Sequence, residues 1–212
     1  MLRIVLAVVL VVTIKGEGCC PYDAWEGFEG LLTGTVQGGQ SHLTQGAFTL
    51  HLNNTKRMVA SEVDLVVDGV VIRLKSIQDY NTGTEYDIMD GKCTKKPIGQ
   101  WKPQCIPDDA KVVQNTYIGA GSEKVAVKTY LYTDNGLQVY ATVTASGCIP
   151  VMAAISGTTA QGVPTVSVVE FSGITSGIKD PSVFSIPAIC NSLDIPHQHI
   201  PIFKGLRRSF FH

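Results

Sequence analysis

Charge is scarce in this sequence. Only 17% of its 212 residues are Asp, Glu, Lys or Arg, and 18 acids against 17 bases leave a net charge of −1. Without a basic excess the chain lacks the electrostatic footprint of nucleic-acid binding, so DNA and RNA are excluded as expected partners. Low charge beside 44% apolar residues is not the composition of a disordered chain. No stretch carries an apolar stripe at helical period over three turns, which excludes a helical bundle. Beyond the first residues no apolar run approaches the roughly 18 residues of a membrane helix, so the mature protein is expected not to span a membrane.

Catalytic signatures are missing too. There is no Gly-x-Ser-x-Gly elbow to expose a nucleophile. No Gly-x-Gly-x-x-Gly loop is present, and Gly91-Lys92 lacks both the upstream glycine spacing and the following Ser or Thr of a phosphate loop. Paired Cys-x-x-Cys spacing is absent, which argues against structural zinc. The expectation is a binding protein, not an enzyme.

What is present points to export. Arg3 precedes an unbroken apolar run from Ile4 to Val12, and Gly16 and Gly18 supply small residues before Cys19. Residues 1–18 therefore read as a signal peptide. All six cysteines (Cys19, Cys20, Cys93, Cys105, Cys148, Cys190) follow that cut. An even count behind a signal peptide implies a disulfide framework, although six cysteines allow 15 pairings. Asn53-Asn54-Thr55 is an N-glycosylation acceptor, with Asn53 the site, in keeping with a secreted, extracellular protein. Delivery to the lysosome would leave no sequence address beyond such a sequon.

The rest of the chain is β in pattern. Phe48, Leu50 and Leu52 alternate with Thr49 and His51. Asp68-Gly69 separates Leu65-Val66-Val67 from Val70-Val71-Ile72, a hairpin signal with apolar flanks. Asn81-Thr82-Gly83 predicts a turn before Glu85–Met89. Val125, Val127, Thr129 and Leu131 share one face, and Asp134-Asn135-Gly136 links them to Leu137, Val139, Ala141 and Val143. Further strands are expected over Val151–Ile155 and Thr165–Phe171, and Asp180-Pro181 predicts a short helix start. Successive hairpins describe an antiparallel meander in one domain, residues 19–190. Residues 191–212 form a tail with Pro196 and Pro201.

Two polar groups invite a metal reading. His197-x-His199 with His212 could chelate an ion, although a solvated tail is the simpler reading. Asp79-Tyr80-Asn81-Thr82-Gly83 with Glu85, Asp87 and Asp90 superficially follows a calcium loop, but Thr84 stands where the sharp turn needs glycine. Lys204, Arg207 and Arg208 beside Phe203, Phe210 and Phe211 could touch an anionic membrane surface.

Gly177-Ile178-Lys179-Asp180-Pro181-Ser182-Val183-Phe184, then Pro187 and Cys190, closely resembles the C-terminal signature of ependymin-related proteins. Cys19 before Trp25-Glu26-Gly27, the block Gly91–Lys95 around Cys93, and Gly147-Cys148-Ile149-Pro150-Val151 follow the same family in order. The resemblance implies a mostly β fold: curved antiparallel sheets with one or two short helices, like LolA-type lipoprotein carriers, around a deep apolar pocket. It further implies a homodimer, some association with calcium, and bridges Cys19–Cys148 and Cys93–Cys190. Cys20 and Cys105 are extra relative to that pattern; they pair with each other or form an intermolecular bond. A lipid or fatty acyl ligand would then meet inward-facing residues such as Phe48, Leu50, Val127, Leu131, Val139, Val143, Val168 and Phe171. The alternative is an extracellular-matrix or cell-adhesion component acting through calcium, glycan and self-association.

Overall fold

The computed structural model describes residues 18–191. Residues 1–17 of the expected signal segment (1–18) and 192–212 of the expected tail (191–212), including His197, His199 and His212, lie outside the described residues.

Eleven strands form one antiparallel sheet. They are β1 (Ala24–Gln37), β2 (Gln40–Asn53), β3 (Met58–Val67), β4 (Val70–Asp79), β5 (Thr84–Met89), β6 (Lys92–Pro97), β7 (Lys111–Ala120), β8 (Glu123–Asp134), β9 (Leu137–Thr144), β10 (Pro150–Thr158) and β11 (Pro164–Ser176). Their spatial order is β6-β5-β4-β3-β2-β1-β11-β10-β9-β8-β7. Two meanders thus meet where β1 pairs β11, and every neighbour is antiparallel. The turns are those the dipeptides demand: Asp68 and Gly69 have φ of 47° and 86°, and Asn135 and Gly136 have 48° and 83°. Positive φ at both central residues gives a turn whose twist suits the strands it joins.

The sheet has to curl. Eleven strands spaced about 4.8 Å apart would set flat edges roughly 48 Å from each other. Residues 98–110 join β6 at one edge to β7 at the other, a reach of about 45 Å only when fully stretched. They are not stretched: Cys105 N donates to Pro103 O and Ala110 N to Pro107 O, and Ile106 exchanges hydrogen bonds with Cys19. This strap crosses the sheet, with Trp101 against Tyr80 at one side and Ile106 in the core at the other.

One sheet face is packed. Trp25, Leu52 and Val59 stand in cross-strand register, as do Val169, Ala153, Ala141 and Tyr130. Leu52, Val139 and Val169 are 0% exposed there. Gly27 lets β1 and β11 approach closely, because a Cβ would lie 2.9 Å from the Ile174 side chain and 3.1 Å from the Ser172 carbonyl.

Three disulfides tie the fold: Cys19–Cys148, Cys20–Cys105 and Cys93–Cys190. The first and third are the pairs the family pattern implied, and Cys20 and Cys105 close on each other within the chain. Asp180 begins the expected short helix, which is a single 3-10 turn, Pro181–Phe184, with the Asp180 carboxylate accepting from Ser182 N at 2.9 Å. Hydrogen bonds from Ser182 hold that carboxyl below its ordinary range. A second 3-10 turn, Ala188–Asn191, carries Cys190 to β6.

Candidate ligand cavities

The other sheet face is apolar at its centre and largely uncovered. Gly30, Leu32 and Gly34 of β1 are in register with Ala47, Gln45 and Leu43 of β2 and with Glu170, Val168 and Val166 of β11. Leu32 is 47% exposed, Val71 58% and Val166 60%. Isolated exposed apolar residues are ordinary, but a contiguous set on central strands marks a surface that meets something. Here it forms a recess of about 740 Å³, walled by Leu32, Ala47, Val66, Val71 and Val168, with Gln45, Glu170 and the Arg73–Asp64 pair (2.9 Å) at its polar margin.

The signature segment covers one end of this face. Phe184 packs on Ala60 and Ile77, which share the face with His51 and Glu26. Glu26 holds the segment in place: its carboxylate accepts from Lys179 N at 3.1 Å and lies 3.2 Å from Lys179 Nζ and 3.4 Å from His51 Nδ1. The Lys179 backbone amide, opposed by burial, and then the Lys179 ammonium and His51 keep the Glu26 carboxyl below its ordinary range. Because the folded value is depressed, this stabilisation exists above the unfolded carboxylate range and is lost as pH falls through the folded value. Glu26→Gln is expected to cost about 1 kcal/mol at neutral pH, with the gap to the parent closing in acid. Urea unfolding midpoints across pH measure it; a pH-independent gap would remove the carboxylate from the explanation.

A second, smaller cavity of about 130 Å³ lies on the packed face beneath the strap. Trp25, Tyr132, Phe171, Ala153 and Val143 line it, and Pro103, Pro107, Cys105 and the Cys19–Cys148 bridge roof it.

The residues expected to form one ligand wall divide between the faces. Phe48, Leu50, Val139 and Val143 are buried on the packed face, and Phe171 joins them at the small cavity. Val168 borders the open recess. Val127 and Leu131 pair with Thr144 and Tyr140, so they lie on the opposite face from Val139 and Val143. The two-residue turn causes this: it sets Asp134 opposite Leu137, so odd positions of β8 share a face with even positions of β9. Leu32, Val66 and Val71 are not part of that expected wall, although Val66 and Val71 flank the Asp68-Gly69 turn.

Acidic residues of the expected loop engage neighbours within the chain. The Asp79 carboxylate serves its own turn, accepting from Asn81 N, Asn81 Nδ2 and Thr82 Oγ1, and Asp87 pairs with Lys96. No three His, Cys, Asp or Glu side chains among these residues converge. Asn53 lies at the end of β2, where its side-chain oxygen accepts from Lys56 N at 2.8 Å. No helix among the described residues is long and apolar enough to cross a membrane.

The fold and its cavities define a disulfide-tied, all-antiparallel β protein with an uncovered apolar sheet face. The chain belongs to the ependymin family, whose profile, described as Ependymin, matches residues 71–190. It is similar to ependymin-related protein 1 of Haliotis asinina, 30% identical over 130 residues covering 56% of this chain and 64% of that protein. Ependymin-related protein 2 of the same species is 28% identical over 129 residues, covering 55% and 63%. The matched region thus spans less than two thirds of either relative. Among solved structures, the LolA superfamily protein NE2245 of Nitrosomonas europaea aligns over 79% of this chain and 92% of its own, at a TM-score of 0.32 and 10% identity. At that distance it fixes neither curvature nor ligand.

Proposed function

We propose that the protein is a secreted carrier that holds a lipid or fatty acyl chain against the open sheet face, acting by binding and not by catalysis. The carrying observation is the recess of about 740 Å³ on exposed apolar side chains of the central strands. Its size falls within the roughly 300–1,000 Å³ of ligand pockets, and burying apolar area there is worth about 25 cal/mol per Å². The margin of Gln45, Glu170 and Arg73 suits a ligand with one polar end. Family membership, the signal-like N-terminus and three disulfides support an extracellular site of action, with Asn53 as the glycan acceptor.

A second reading rests on the same face. Phe28, Leu43 and Val166 extend its apolar surface beyond the recess, which suits self-association in a matrix. Native mass spectrometry of protein purified without detergent separates the two. A stoichiometric lipid adduct supports the carrier. A ligand-free dimer, or an apo mass unmoved by a lipid panel, overturns it.

Leu32→Glu sharpens the test. The side chain is half exposed at the centre of the recess, so the fold is expected to survive within about 0.5 kcal/mol. A carboxylate on the floor would have to be desolvated by an acyl chain, so lipid occupancy is expected to fall more than about tenfold. Undiminished occupancy in the folded variant would place the ligand elsewhere.

A further inference from the structure

The small cavity on the packed face has an unusual wall. Three aromatic residues, Trp25, Tyr132 and Phe171, border it, and Asp134, whose carboxylate accepts from Asn135 Nδ2 at 3.1 Å, is the one acidic residue lining it. Trp25 and Phe171 meet edge to face with centroids 6.4 Å apart. Tyr132 keeps its proton: burial, then the nearby Asp134 carboxylate, push its phenol up to about 12. The ring therefore carries no charge that would repel or attract a ligand of its own accord. No Lys, Arg or His lines the space.

The volume, about 130 Å³, equals roughly four waters' share of liquid. That is too small for an acyl chain and suits a compact head group. The roof is held in place by Cys105 paired to Cys20 and by Cys19 paired to Cys148, so the site is formed before anything binds. A cavity bordered by three aromatic residues, with one acidic residue and no basic residue in its lining, matches one ligand chemistry best. We propose that it binds a small organic cation, an alkylammonium or quaternary ammonium head, seated against the aromatic rings and neutralised by Asp134.

Attraction of a cation to ring faces is electrostatic and survives where water is excluded. It distinguishes a cation from a neutral molecule of the same shape. Aromatic packing alone would make no such distinction. The cavity and the open recess lie on opposite sheet faces, so this proposal stands or falls apart from the carrier reading.

The test titrates the full-length secreted protein with choline and, in parallel, with its neutral tert-butyl isostere. Binding is followed by tryptophan fluorescence and calorimetry. The expected result is saturable choline binding, with the isostere about tenfold weaker. Asp134→Asn is expected to weaken choline by about tenfold and leave the isostere unchanged. Should that hairpin variant fail to fold, Tyr132→Leu and the wild-type comparison of the two ligands still decide. No saturable binding, equal binding of the isostere, or choline affinity untouched in the folded Asp134→Asn protein would each overturn the proposal.

Discussion

Replacing both Cys19 and Cys148 with serine is expected to lower stability by about 4–5 kcal/mol, as measured by urea unfolding under oxidising conditions. The bridge joins residues 129 apart, and closing so long a loop removes much of the freedom of the unfolded chain. A native-state contribution adds to this. Cys19 is buried with Ile106, Tyr130 and Val143, so a serine hydroxyl there would lack the polar surroundings it needs. The Cys20–Cys105 bridge, separated by 85 residues, closes a loop of similar entropic worth, but Cys20 is exposed. Cys20→Ser with Cys105→Ser is therefore expected to cost less than the first pair. Equal losses would mean that chain entropy alone accounts for both. A loss under about 2 kcal/mol for the first pair would mean the remaining bridges already restrain the unfolded chain.

The hairpins were legible because their turns are chemically specific. Asp68-Gly69 and Asn135-Gly136 both adopt the positive φ their residues favour, and the strands beside them follow. The Asp180 cap and the buried stripe of Phe48, Leu50 and Leu52 were equally readable. β1, at the centre of the sheet, was not. Its interior carries Gly27, Gly30 and Gly34, residues that weaken a strand pattern, yet Gly27 is required by the close approach of β11. β7 gave no alternation because it is an edge strand exposed along both faces.

The candidate site was hidden for a related reason. β11 is apolar on both sides, with Val166 and Val168 on the open face and Val169 and Phe171 on the packed one. Periodicity finds a face by contrast with polar residues, and here the contrast is missing. Only cross-strand register assigns the faces, and the turn at Asn135-Gly136 held that register in plain view.

Phe184→Ala is expected to cost about 3–4 kcal/mol and to lower Tm by about 10 °C. The ring is the one buried side chain of the 3-10 turn, and it lies on Ala60 and Ile77, which are almost wholly inaccessible. Met58, Tyr86 and Ile88 pack against the same cluster, and the Lys56 ammonium stands 5.8 Å from the ring centroid. The segment cannot readily collapse into the space left behind, because Asp180, Glu26 and the Cys93–Cys190 bridge fix it on either side. Val183→Ala, in the same turn and only partly buried, is expected to cost less than half as much. The walls of the large recess do not include Phe184, so under the proposed carrier function the folded fraction of Phe184→Ala should bind lipid as the parent does. A variant that melts early but carries ligand normally would assign the signature segment to holding the sheet. One that keeps its stability and loses ligand would move the binding site to the end of the face that Phe184 covers.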